Sequence, residues 1–181
     1  NRLFTTQREF ESAVAQAVDN FLRESDGRVV FFAQVHGPTA AEDDRIPARR
    51  VAEWLAEWET RVVLAPAVQP DILKAAYGEM DLFLGTRLHS CIFALGEGVP
   101  VASIAYQYKS RGLFRLLDME EQVIDIENAD AANLSALLTR TWQERKIIRQ
   151  QLSDRLPLLR QQIQSVGQRI YDDYHQTQSR Q

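Results

Sequence analysis

The sequence predicts an α/β fold, a Rossmann-like parallel sheet of about five strands with helices on both faces and a long C-terminal helix. Three observations predict it. Short apolar runs alternate with stretches of helical periodicity, and parallel strands need such crossover helices. The runs are continuously apolar, as in strands buried on both faces. From Ala131 the periodicity is helical almost to the end.

The elements follow in order. Thr5 to Glu24 reads as a helix, with Phe10, Val14, Ala17, Val18, Phe21 and Leu22 on one face and Gly27 as its stop. Arg28 to Ala33 is a strand rich in branched and aromatic residues, ended by Gly37-Pro38. Glu42-Asp43-Asp44 is an acidic loop. Pro47 to Glu59 is a helix with Val51, Trp54, Leu55 and Trp58 inward. Arg61 to Ala65 is a strand. Pro70 to Met80 is a helix opened by proline, with Ile72, Leu73, Ala76 and Tyr77 as its apolar set. Asp81 to Leu84 is a strand. Arg87 to Leu95 is a helix with Leu88, Cys91, Ile92 and Leu95 at i, i+3, i+4 and i+7, stopped by Gly96 and Gly98. Val99 to Ala105 is a strand, Arg111 to Leu117 a short helix and Gln122 to Ile126 a strand. In the last stretch Ile148, Leu152, Leu159, Ile163, Val166, Ile170 and Tyr174 mark an amphipathic helix, broken or kinked near Pro157. The expected organisation is one domain over 1–181, with a core at 25–130 and a helical segment at 131–181.

Composition narrows the classes. A chain of 181 residues, 45% hydrophobic and 25% charged, can bury one sizeable core. A net charge of −4 counts against a protein that grips nucleic acid, so no nucleic-acid partner is expected. The single cysteine, Cys91, excludes an intrachain disulfide and a Cys-based metal cluster, which suits reducing cytosol. No run reaches the roughly 20 apolar residues of a membrane span, and no signal-peptide pattern opens the sequence. The expected location is cytoplasmic, with the inner face of the membrane as a contact surface. The chain begins at Asn1, which suits a piece of a longer protein.

In an open parallel sheet, ligands bind beyond the carboxyl ends of the strands. The corner Gly85-Thr86-Arg87-Leu88-His89 falls there. Gly85 permits close approach. Thr86 suits an N-cap, and the free N–H groups and dipole of the helix start attract anions. Arg87 adds a planar fork for phosphate or carboxylate, and His89 shares the same first turn. Each has a plainer explanation: Thr86 as cap only, Arg87 paired with an acidic loop, His89 as a half-buried structural histidine.

A second cluster, Tyr106, Tyr108, Lys109, Ser110, Arg111 and Gly112, follows the next strand and opens on the same edge. Its two cations and Arg87 could share one ligand; the alternative is a solvated loop. His36, beside Gly37, is a third candidate, with a structural role as its alternative. Absent are G-x-G-x-x-G after the first strand, a Walker A sequence, G-x-S-x-G and metal-ligand spacing among the histidines, so no metal site is expected.

The run from Gly85 through Arg87-Leu88-His89 and Ala94 to Gly98-Val99-Pro100-Val101 resembles the G-x-R-L-H…A…G-V-P-V signature of the polysaccharide pyruvyl transferase family. Tyr106, Lys109 and Gly112 resemble its Y-x-x-K-x-x-G segment, and Glu42-Asp43-Asp44 its acidic loop. Thr86 stands where other members often carry methionine. The likeness runs from about Val29 to Ile126. It implies one Rossmann-like half, the C-terminal and donor-binding one, of a GT-B-like enzyme. It also implies a transferase that moves pyruvyl from phosphoenolpyruvate onto two hydroxyls of a saccharide, a polysaccharide or its precursor, to form a cyclic ketal. It assigns phosphoenolpyruvate binding to Arg87, Leu88 and His89, a catalytic part to His89, and an anion contact to Lys109. Thr86, Arg111 and His36 join as substrate-binding candidates. Phosphoenolpyruvate is a donor substrate here, and no cofactor is called for. The acceptor saccharide, in lipid-linked form, would bring the chain to a membrane surface.

Two other readings stand beside this one. The same sheet edge suits the nucleotide-sugar-binding half of a GT-B glycosyltransferase, which needs an acidic residue for the ribose; Glu97 and Glu120-Glu121 are the candidates. A non-catalytic interaction domain would work through the C-terminal helix. From Arg140 onward eight Lys or Arg stand against four Asp or Glu, a bias that favours an anionic membrane surface. The alternative is a helix strapped across its own domain.

Overall fold

A computed structural model of the chain describes residues 6–178. Helix α1, Gln7–Glu24, is opened by a capping box in which Thr6 Oγ1 accepts from the Glu9 amide and the Glu9 carboxylate accepts from that of Thr6. The expected start at Thr5 lies outside the described residues. Strand β1, Val29–Phe31, and strand β2, Val62–Leu64, flank helix α2, Arg45–Trp54. Helix α3, Pro70–Gly78, carries its proline in the first turn, where no amide partner is lost. Strand β3, Phe83–Gly85, leads into helix α4, Leu88–Gly96. Strand β4, Val101–Ala105, leads into helix α5, Tyr108–Leu116. Strand β5, Val123–Asp125, precedes helix α6, Ala131–Gln178.

All ladders are parallel, but they form two sheets, β1-β2 and β3-β4-β5, in place of the single sheet the sequence predicts. The first pairs Val29 with Val62 and Phe31 with Leu64. The second pairs Gly85 with Ser103 and Ala105 with Asp125. Between β1 and β3 lies a cavity of about 780 Å³, lined by both strands. The Tyr77 ring packs edge-on with Phe32 and tilted against Phe83, at centroid distances of 5.0 and 4.6 Å. It bridges the seam with a side chain where a backbone ladder was expected.

Burial explains the layers. Every residue of β4 is buried. Val101 and Ala105 pack with Cys91, Leu95, Phe114, Ile148 and Leu152 on one face. Ala102 and Ile104 pack with Ala13, Ala17, Leu134 and Leu137 on the other. A third cluster joins Ala15, Val18 and Leu22 of α1 to Val51 and Leu55. Arg61, just ahead of β2, donates to the carbonyls of Leu22 and Gly27 and so satisfies the end of α1.

Several expectations shift. Helix α2 starts at Arg45 and stops at Trp54, followed by a separate 3₁₀ turn at Ala56–Trp58, so the expected helix to Glu59 is two pieces. Trp54, Ile72 and Ile92 are exposed at 44%, 55% and 40%. Each sits at the margin of its helix's apolar stripe, where periodicity alone does not separate core from rim. Helix α5 begins at Tyr108, three residues before the expected start at Arg111, so Lys109 lies on the helix and not in a loop. Helix α6 is not broken at Pro157, which lies inside it. Its first part straps the domain through Leu134, Leu137, Leu138, Ile148 and Leu152. Arg160 donates to the Gly96 carbonyl at 2.9 Å. Residues 161–175 beyond it are all exposed.

Candidate functional site

The carboxyl edge of the three-stranded sheet presents two helix starts side by side. β3 and β4 are paired neighbours, and each runs into a nine-residue helix, α4 and α5. Parallel strands put both helix N-termini, with their unbonded N–H groups, on one edge. Gly85 is needed at the first turn for space. A Cβ there would lie 2.4 Å from Cys91 Sγ and 3.1 Å from Phe83 Cε1. At the far end of α4, Gly98 adopts φ +78°, and its amide donates to the Leu95 carbonyl. That is the left-handed stop a glycine supplies.

Arg87, not Thr86, is the N-cap of α4; it is extended, and its carbonyl accepts from the Cys91 amide and from Ser90 Oγ. Thr86 precedes the cap and is exposed, so its expected capping role is corrected: the helix starts one residue later than the apolar pattern implies. The Arg87 side chain reaches the acidic loop. Nε lies 3.1 and 2.8 Å from the two carboxylate oxygens of Asp44, and one terminal nitrogen lies 2.7 Å from Oδ1. The pair is partly buried. Asp44 beside the guanidinium pushes the Arg87 pKa further up, so the arginine is charged at every accessible pH. Asp44 Oδ2 also accepts from the Val35 amide at 2.9 Å.

Arg87, Thr86 and Ser90 line the cavity together with Asp44, Gln34, Tyr77 and Tyr106. Tyr77 donates to Gln34 Oε1 at 3.0 Å, and burial pushes its phenol up to about 12, so it stays neutral. The rest of the lining is largely apolar, from Phe10, Val14 and Phe21 to Phe31 and Leu84. The remaining candidates, Leu88, His89, Lys109, Arg111 and His36, fall outside the cavity lining. Leu88 is half-buried in the first turn of α4, and His89 is exposed one residue on, outside the cavity lining. Lys109 is exposed in the first turn of α5 and makes no ion pair among the described residues. Arg111 is held by Asp125 at the end of β5 through two bonds of 2.7 Å. His36 is exposed, and its backbone bridges antiparallel to Asp43, closing the loop that carries Asp44. Asp43 is held by Arg45, which lowers its carboxyl to about 2, while the Asp44 carboxylate takes Arg87 and the Val35 amide.

The sequence offered an Arg87 pair with the acidic loop as the plainer alternative, and the structure bears that pair out; the 43-residue separation hid which acid would make it. Gln34 and the Tyr77 hydroxyl were missed, because Tyr77 reads only as an apolar helix position. Glu97 caps the far end of α4, where it pairs with Lys74 at 3.0 Å, and Glu120 and Glu121 precede β5. All three therefore lie toward the amino edge of the strands, away from Arg87. Among the described residues no group of His, Cys, Asp or Glu is placed to hold a metal, and no helix is long and apolar enough to cross a membrane.

Comparison with known proteins finds a family match in the sequence. The model of the polysaccharide pyruvyl transferases matches residues 7–108, more than half the chain, a span that holds Asp44, Arg87 and His89. The amylovoran biosynthesis protein AmsJ of Erwinia amylovora is 26% identical over 153 residues, which cover 84% of this chain and 37% of that protein. The chain thus matches little more than a third of the length of this curated relative. No solved structure matches. With the R-L-H run at the carboxyl edge and the family match extending across it, the chain belongs to the polysaccharide pyruvyl transferase family.

Proposed function

We propose that this chain is the donor-binding half of a GT-B-like pyruvyl transferase, transferring pyruvyl from phosphoenolpyruvate to a saccharide diol to form a cyclic ketal. The observation that carries the reading is the pairing of two helix N-termini at one sheet edge, with Arg87 and His89 on the first and Lys109 on the second. Phosphoenolpyruvate carries a phosphate and a carboxylate, and two cationic helix starts offer one cradle for each.

The chemistry then asks little more of this half. His89 gives a proton to the methylene carbon of phosphoenolpyruvate. The positive charge that develops on C2 is attacked by one sugar hydroxyl. Phosphate leaves, and the second hydroxyl closes the ketal. One hydroxyl proton replaces the proton His89 gave, and the other leaves with phosphate, so the histidine is reset each turn. Arg87 holds one anionic group and Lys109 the other. Arg111 offers the N–H groups that Asp125 leaves open, and Thr86 and the Leu88 amide complete the first turn. An exposed His89 suits a proton donor that must meet an acceptor arriving from solvent. The acceptor, taken as a polysaccharide or its lipid-linked precursor, would be met at a membrane surface by the exposed stripe of Ile163, Val166 and Ile170.

A nucleotide-sugar site is the competing reading, and the positions of Glu97, Glu120 and Glu121 at the amino edge weigh against it. A thermal-shift panel separates the two, since a ligand bound only by the native state raises the melting temperature. Phosphoenolpyruvate is expected to raise it and nucleotide sugars are not. Arg87→Ala should abolish the phosphoenolpyruvate shift, a loss of about 2 kcal/mol or more in binding. A shift with nucleotide sugars alone would overturn the proposal.

A further inference from the structure

We infer that Asp44 is a positioning residue for Arg87: it holds one edge of the guanidinium so that the other edge is presented, fixed, to an anionic ligand. The inference rests on the reading of the Arg87 corner as the donor site and adds the residue that aims it.

The donors can be counted. A guanidinium has five N–H groups, one on Nε and two on each terminal nitrogen. Asp44 takes Nε–H and one terminal N–H. Three remain, two on the unbonded terminal nitrogen and one beside it. Two of them, one on each terminal nitrogen, lie parallel along the edge that matches two oxygens of a phosphate or carboxylate, and the third points back toward the side-chain stem. An arginine gripped on its Nε edge therefore still has its terminal edge to offer.

The carboxylate is itself anchored, which separates a positioning group from a competing one. Among the described residues Oδ1 accepts from Arg87, while Oδ2 accepts from Arg87 and from the Val35 amide. The Asp44 amide donates back to the Val35 carbonyl at 3.0 Å, and the His36–Asp43 bridge closes the loop one residue further out. Arg45 is taken up by Asp43. The backbone of Arg87 is fixed equally well, as the N-cap whose carbonyl accepts from Cys91 and Ser90. Both ends of the side chain are thus set, one by α4 and one by the loop after β1. An unanchored arginine would lose the entropy of several rotors on binding; here folding has already ordered them.

The test uses the full chain, wild type and the variants Asp44→Asn and Asp44→Ala, with inorganic phosphate and phosphoenolpyruvate as probes. Two readouts are followed by NMR: the Arg87 Nε–H resonance, and the dissociation constant of each probe at the α4 amides. In wild type the Nε–H is expected to be sharp and slow to exchange, and to stay so when phosphate binds. In both variants it should broaden into solvent exchange, and phosphate affinity should fall tenfold or more while the amide spectrum remains folded. If Asp44→Ala unfolds, Asp44→Asn and the wild-type Nε–H signal still decide. Unchanged affinity in a folded variant would make Asp44 a brace for its loop, and tighter affinity would make it a competitor for Arg87; either overturns the inference, as does a wild type that binds neither probe. Binding of phosphate without phosphoenolpyruvate would sink the donor reading yet leave the role of Asp44 to be decided by the variants.

Discussion

Replacing Gly85 with alanine probes the joint on which the site is built. The added Cβ would sit 2.4 Å from Cys91 Sγ and 3.1 Å from Phe83 Cε1. Ordinary contact is about 3.5–4 Å, so the overlap with sulfur exceeds about 1 Å. Cys91 is 1% exposed, and its sulfur already lies 3.6 Å from Ser103 Oγ on β4, itself buried, so it has no room to retreat. Overpacking of this kind costs about 1–3 kcal/mol. The loss of unfolded-chain freedom on going from glycine to alanine returns about 0.4–1 kcal/mol. A net destabilisation of about 1–2 kcal/mol is expected from the two terms together. Cys91→Ala removes the obstructing atom at a cost of about 1 kcal/mol, by analogy with deleting one buried methylene. The double variant should be more stable than the sum of the singles by about 1 kcal/mol, within the range found for residues in contact. Urea denaturation followed by circular dichroism gives all four stabilities. Strict additivity, within about 0.3–0.5 kcal/mol, would refute the steric account. So would a Gly85→Ala variant as stable as wild type.

Three further outcomes follow from the packing. Glu11 is 1% exposed and pairs with Arg50 at 2.5 Å, so Arg50→Ala should leave a buried carboxylate unpaired and cost about 3 kcal/mol or more in a urea titration; a loss below about 1 kcal/mol would show that water reaches Glu11. The hydrogen bonds from Arg111 hold the Asp125 carboxyl below its usual range. A lowered native value means that the contribution is present above about pH 4, the unfolded value, and is lost as pH falls through the native one. Both side chains are more than a third exposed, so the contribution should not exceed about 1 kcal/mol. The gap in stability between wild type and Asp125→Asn should close between pH 6 and pH 2, and a gap constant across that window would contradict the assignment. Ending the chain after Gln161 removes helix that is exposed at every position from 162 to 175, so the melting temperature should move by no more than a degree or two; a larger fall would mean that the overhang packs on the domain.

Much of this architecture was legible because its signals are local. Continuous apolar runs placed all five strands, Pro70 opened α3, and Gly98 closed α4. Where the signal was weaker the reading slipped. The apolar repeat of α5 begins only at Leu113, so the polar first turn from Tyr108 looked like loop. The N-cap of α4 moved one residue, from Thr86 to Arg87, and the helix starts at Leu88. Two features depend on distance in sequence and could not be read from spacing. One is the split between the sheets, across which Tyr77 meets Phe32 and Phe83. The other is the choice of Asp44 over Glu42 and Asp43 as the partner of Arg87, settled by the His36–Asp43 bridge and by Arg45. The R-L-H run itself was visible as a motif, and the structure adds what lies across from it.

The anion cradle at the two helix starts is most directly tested by mapping phosphoenolpyruvate onto the amide spectrum of the chain. The largest shifts are expected at Thr86 to Ser90 and at Tyr108 to Arg111, and they should vanish in Arg87→Ala. Shifts confined to the apolar cavity between β1 and β3, or none at millimolar ligand, would contradict the assignment of this corner to the donor.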